Sequence, residues 1–132
     1  MILLNRVKEA DDVIRLVYSL YHKEAQNLVA EDRALIFVPY VSKGDKIGQL
    51  LECDVYKSSI ADSIKENIYY CWISGEKTVM VCTSAFSAGN DYPSVCLVIQ
   101  AGTPLEMIGF IQEVSQAGRD KRPAKCFIIP CN

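Results

Sequence analysis

The chain is poor in histidine and lacks paired-cysteine spacing. It has one histidine, His22, and its six cysteines (Cys53, Cys71, Cys82, Cys96, Cys126 and Cys131) form no C-x-x-C pair. That spacing argues against a zinc site and against a disulfide framework, and no metal is expected on this chain. Neither charge sign dominates: Lys and Arg number 14 against 16 Asp and Glu, a formal net charge of -2. No basic footprint therefore argues for nucleic acid from charge alone. No apolar run reaches the roughly 20 residues of a membrane span. Met1-Ile2-Leu3-Leu4 is too short for a secretory signal and runs straight into charged residues. An intracellular protein with no membrane partner is expected. No G-x-x-x-x-G-K-S/T run and no D-E-x-H box occur, so the chain has no phosphate-cradling loop and no magnesium-holding acidic box of its own.

What is present fits one soluble globular domain. At 132 residues, half of them hydrophobic, the chain can bury roughly two-thirds of its unfolded surface in a single core. Most cysteines sit in apolar runs, such as Val79-Met80-Val81-Cys82 and Val95-Cys96-Leu97-Val98-Ile99, where a reduced thiol behaves as a small hydrophobe.

The hydrophobic pattern alternates between helices and strands. Residues 8 to 29 are expected to form an amphipathic helix with Ala10, Val13, Val17, Leu20, Tyr21 and Leu28 on one stripe. Ala34 to Val38 is a strand-length apolar run ended by Pro39. A short helix over Asp45 to Leu51 and a strand over Cys53 to Tyr56 follow. Ser59-Ile60-Ala61-Asp62 has capping-box spacing and is expected to open a helix whose stripe is Ile60, Ile64, Ile68, Cys71 and Trp72, stopped by Gly75. Further strands are expected over Thr78 to Cys82, Val95 to Ile99 and Cys126 to Ile129, with a helix over Pro104 to Ser115. Strands apolar on both faces, separated by helices, predict an α/β fold with a mostly parallel sheet covered on both sides. Ligands then bind at the loops leaving the carboxyl ends of the strands, here those starting near Pro39, Tyr56, Thr83 and Gln100.

Three colinear segments carry a family resemblance. Trp72-Ile73-Ser74-Gly75-Glu76-Lys77-Thr78-Val79-Met80-Val81-Cys82-Thr83 looks like F-x-x-G-x-x-x-V-M-V-A-T. Thr83 to Val95 follows A-T-x-A-F-G-M-G-I-D-x-P-x-V, and Gln112 to Asp120 follows Q-E-x-G-R-A-G-R-D. From about Ala34 to Ile129 the chain thus resembles the second, RecA-like lobe of RecQ-type DNA helicases, the last two segments being that family's motifs V and VI. The resemblance implies a three-layer lobe of the P-loop NTPase type. It also implies work on DNA, with ATP and magnesium bound only together with a first RecA-like lobe, which this chain lacks. A eukaryotic member would be nuclear.

The resemblance carries roles residue by residue. Arg119 matches the second arginine of motif VI, the arginine finger that would stabilise charge on the transferring phosphoryl group. Gln112 matches the motif VI glutamine at the nucleotide cleft. Gly89 and Asp91 match the motif V turn facing nucleotide and DNA; Asp91 is equally a turn residue before Tyr92-Pro93. Thr83 and Ser84 match the strand end at the DNA backbone, and either is equally a helix cap. His22 and Trp72 are assigned to structure.

The departures are specific. Gln116 stands where the family has the first motif VI arginine, and Ser115 replaces the preceding glycine; glutamine can hydrogen-bond a phosphate but brings no charge. Ser87, Ala88 and Asn90 replace Gly, Met and Ile of motif V. The family's Tyr-His-Ala-Gly-Leu is here Tyr56-Lys57-Ser58-Ser59-Ile60. Alone, the chain is expected neither to bind ATP tightly nor to hydrolyse it. Two functions fit: the C-terminal lobe of a 3′-to-5′ DNA helicase, or a degenerate, non-catalytic lobe kept for DNA binding or protein interaction.

Overall fold

Five apolar runs lie side by side in a single sheet, joined at one edge by a sixth, short strand. A computed structural model of the chain describes residues 2–3, 10–29, 31–83, 95–102 and 125–129. The elements are β1 (Ile2–Leu3), α1 (Ala10–Ala25), β2 (Arg33–Phe37), α2 (Val41–Leu51), β3 (Val55–Tyr56), α3 (Asp62–Ser74), β4 (Val79–Cys82), β5 (Val95–Ala101) and β6 (Lys125–Ile129). The strand order is β1-β6-β5-β2-β4-β3, and every pairing is parallel. The expected parallel α/β sheet is therefore present. β1 was not foreseen: two apolar residues at the start of a chain give too little periodicity to mark a strand.

The strand residues alternate between two cores, because successive side chains of a strand point to opposite faces. On one face Ala34, Ile36, Val79, Val81, Leu97, Ile99, Phe127 and Ile129 pack with Val13, Ile14 and Val17 of α1 and Ile47 of α2. On the other, Leu35, Phe37, Met80, Cys82, Val98 and Cys126 pack with Ile68 and Trp72 of α3. A sheet with both faces buried explains why the strands are continuously apolar. The five described cysteines are free thiols, two of them buried.

Two expected boundaries are corrected. α2 starts at Val41, four residues before Asp45, despite Gly44 and Gly48 in its body. Helix propensity penalises those glycines, but close packing requires them. A Cβ on Gly44 would lie 2.8 Å from the Thr83 Cγ2, and one on Gly48 would lie 2.5 Å from the Val55 Cγ2. The Ser59 capping box does not form. α3 begins at Asp62 after an extended Ala61, with no side-chain cap, and Ile64 N–H and Lys65 N–H both donate to the Ala61 carbonyl. A turn from Lys57 to Ile60 uses up the intervening residues and returns Ile60 to the core. Ile64, expected on the buried stripe, is half-exposed. Gly75 ends α3 as expected, with φ +92.

A buried polar lock ties α3 to the amino end of the sheet. The Arg33 guanidinium donates from Nε to the Trp72 carbonyl (2.7 Å), from Nη2 to the Ile73 carbonyl (3.4 Å) and from Nη1 to the Asp32 carbonyl (2.9 Å). A cation at a helix C-terminus meets the negative end of the helix dipole as well as its orphan carbonyls. Buried Asp32 accepts from the Val29 N–H and from the Cys96 thiol. Cys96 sits at a bulge, since the register with β2 passes from Arg33↔Val95 to Ala34↔Leu97. This lock lies away from the strand ends that bind ligands in such folds. Its role is structural.

Candidate functional site

The carboxyl ends of the parallel strands form one rim, which the chain leaves at Pro39 after β2, at Lys57 after β3, at Thr83 after β4 and at Gly102 after β5. The ladder continues a step past the strands: Val38 N–H donates to the Cys82 carbonyl at 3.0 Å, and Thr83 N–H to the Tyr56 carbonyl at 2.9 Å. Gly102, with φ +66, donates its N–H to the Ile129 carbonyl and closes the rim between β5 and β6.

Thr83 is the predicted site residue that the described structure contains. It is half-buried, pinned through its backbone to β3, and its methyl faces Gly44 in the second turn of α2. At the start of α2, Lys43 lies over the Tyr40 ring, 4.5 Å from its centroid. Lys57 binds both carboxylate oxygens of Asp45, at 3.0 and 3.2 Å, and ties the loop after β3 to α2. Tyr56, at the end of β3, has its hydroxyl pKa raised by burial and then by Cys82 and Asp62.

Ser84, Gly89, Asp91, Gln112, Gln116 and Arg119 lie outside the described residues, as does the helix expected over Pro104 to Ser115. The Lys43–Tyr40 contact was not foreseen, because α2 begins at Val41 rather than at the expected Asp45. The available signal was Pro39, which ends β2 and forces a turn just where α2 begins. Among the described residues no group of three or more histidine, cysteine or acidic side chains is arranged to hold a metal ion. Among the same residues no helix is long and apolar enough to cross a membrane. His22 is exposed on α1 and stacks edge-on against Tyr18, whereas Trp72 is fully buried.

Comparison with known proteins places the chain in a family. Residues 10–121 match the helicase conserved C-terminal domain. The ATP-dependent DNA helicase RecQ of Synechocystis sp. is 28% identical over 104 residues, covering 75% of this chain and 22% of that protein. The human ATP-dependent DNA helicase Q4 is 24% identical over 124 residues, covering 94% of this chain and 10% of that protein. The chain thus spans about a fifth or less of the length of these relatives. Among solved structures, domain 2 of the DEAD-box helicase Mss116p, bound to an RNA duplex, superposes over 99% of this chain and 54% of its own. The TM-score is 0.75 at 18% sequence identity, a likeness of fold.

Proposed function

This chain belongs to the helicase conserved C-terminal domain family, with RecQ-like DNA helicases as its sequence relatives, and from that premise we propose that it serves as the second lobe of an ATP-dependent 3′-to-5′ DNA helicase. The observation that carries the reading is the ordered series of motifs from Trp72 to Asp120 within the matched span. Hydrolysis of ATP spreads negative charge over the transferring phosphoryl oxygens, and a guanidinium brought across a lobe interface stabilises it. In this reading Arg119 is that guanidinium, and Gln112, Gln116, Gly89 and Asp91 border the nucleotide. Thr83 and Ser84 contact the DNA backbone, where a hydroxyl or a strand-end N–H suits a phosphate oxygen and carries no base preference. Lys43, one residue before the glycine that packs on Thr83, supplies a cation at the same end of the sheet. ATP with magnesium binds only together with a first lobe, and the chain alone is inactive.

Gln116 with Ser115 favours a second reading, a degenerate lobe that binds DNA or a protein without catalysis. The two separate in a fusion to a related first lobe. A working lobe gives DNA-stimulated ATP turnover in the fusion and none alone; the Gln116→Arg variant raises it. A fusion that stays inert until Gln116 is changed supports the degenerate reading. Turnover by the chain alone, abolished by Arg119→Ala, would contradict both.

A further inference from the structure

We propose that the open edge of the sheet at β3 is a docking site for a basic, apolar-centred extended peptide from a partner protein, seated in the cleft between α2 and α3. Among the described residues the sheet ends at β3. Val81 N–H donates to the Asp54 carbonyl at 3.3 Å and Thr83 N–H to the Tyr56 carbonyl at 2.9 Å, so Asp54 and Tyr56 face β4. Strand alternation turns the N–H and C=O of the intervening Val55 to the open side, where they meet no backbone partner among the described residues. An open strand edge with a groove beside it is a ready template for an added strand.

The groove is there. A cleft of about 450 Å³ opens over Val55, walled by Gly48 and Gln49 of α2 and by Ile60, Ile64 and Ile68 at α3. Ile64 is 51% exposed, an apolar contact left to solvent at the mouth. The charge selects the occupant. Among the described residues, Asp45, Glu52 and Asp54 line the cleft beside Lys57, and Lys57 is already bound to Asp45. The exposed carboxylates of Glu52 and Asp54 remain to meet cations. A lysine- or arginine-flanked segment with an apolar centre satisfies the edge amide, the exposed isoleucine and the carboxylates together. This inference does not depend on ATP or DNA, and its test involves neither.

The test is a titration of the isotope-labelled full chain with a short synthetic peptide of lysines flanking a valine–isoleucine centre, beside its glutamate-for-lysine counterpart. The lysine peptide is expected to saturate, to shift the Gly48, Val55 and Ile64 amide resonances, and to slow hydrogen exchange at the Val55 amide about tenfold or more. The paired substitutions Glu52→Lys and Asp54→Lys, both at exposed positions, should weaken it about tenfold or more and reverse the preference between the peptides. Ile64→Glu, also on the surface, should weaken both peptides. Equal affinity for the two peptides, an unchanged Val55 exchange rate at saturation, or no saturable binding would overturn the proposal. Concentration-dependent dimerisation blocked by those charge reversals or by Ile64→Glu would also overturn it, assigning the edge to a second copy.

Discussion

Arg33 and Trp72 hold each other across the boundary between β2 and α3. The arginine Nε donates to the Trp72 carbonyl at 2.7 Å, while the indole Nε1 donates to the carbonyl of Ala34, the residue after Arg33, at 3.0 Å. Both side chains are buried, so each bond is made where water cannot replace it. Removing one partner loses a buried hydrogen bond, at a cost of about 1–3 kcal/mol, with charged donors at the upper end. Trp72→Phe should therefore lower unfolding stability by about 2 kcal/mol, and Arg33→Met by about 3 kcal/mol. Denaturant titration checks both; a loss under about 0.5 kcal/mol in either variant would mean that the lock is not holding α3.

Gly48 sets helix propensity against packing. Glycine to alanine inside a helix ordinarily gains about 1 kcal/mol. Here the new methyl would lie 2.5 Å from the Val55 Cγ2 and 3.1 Å from the backbone oxygen of Cys53. The side chain can turn but the backbone cannot, and overpacking costs about 1–3 kcal/mol. Gly48→Ala is expected to destabilise, seen as a lower Tm. A raised Tm would show that propensity wins and that α2 can lift from β3.

The same glycines mark the limit of what the sequence displayed. The parallel α/β class was legible because strands buried on both faces must be apolar throughout, and Gly75 was legible because its φ of +92 suits glycine. The start of α2 was not, since Gly44 and Gly48 look like helix breakers until Thr83 and Val55 are seen pressing on them. Ser59 misled in the opposite sense: its spacing matched a cap, but the Lys57–Ile60 turn claimed it. At the site, Thr83 was legible as a strand-end hydroxyl. The Lys43–Tyr40 contact followed only from the true start of α2, and the roles proposed for Arg119 and Gln116 came from motif resemblance rather than from local physics.

Alkaline pH should weaken the fold through its buried thiols. Burial, with Asp54 nearby, pushes the Cys53 pKa up to about 11 from an ordinary 9.0, and burial pushes Cys82 higher still. Tyr21 and Tyr56 are raised as well, chiefly by burial. A raised pKa means that the folded chain keeps a proton the unfolded chain gives up. The contribution is therefore full below about pH 9 and drains as pH climbs through 11. Tm should be flat from pH 7 to 8.5 and fall steadily from 9 to 11. Cys53→Ala should make that fall shallower. A Tm that rises with pH in this window would contradict the assignment.

Thr83→Val separates the hydroxyl from the packing. The substitution keeps a methyl against Gly44 and removes the group proposed to meet a phosphate oxygen. DNA binding by the lobe should weaken several-fold, equally for unrelated sequences, because backbone contacts carry no base information. Fluorescence anisotropy with two labelled oligonucleotides of different sequence checks this, with Tm as the control. Unchanged affinity at unchanged Tm would remove Thr83 from the interface.

The central claim, that this lobe supplies the arginine finger of a two-lobed ATP-driven engine, is tested most directly by DNA-stimulated ATP turnover of the chain fused to a RecQ-type first lobe, with Arg119 intact and with Arg119→Ala. The account predicts measurable turnover in the intact fusion and a loss of roughly a thousandfold or more in the variant, with ATP affinity changed far less. Equal turnover in the two fusions would contradict it.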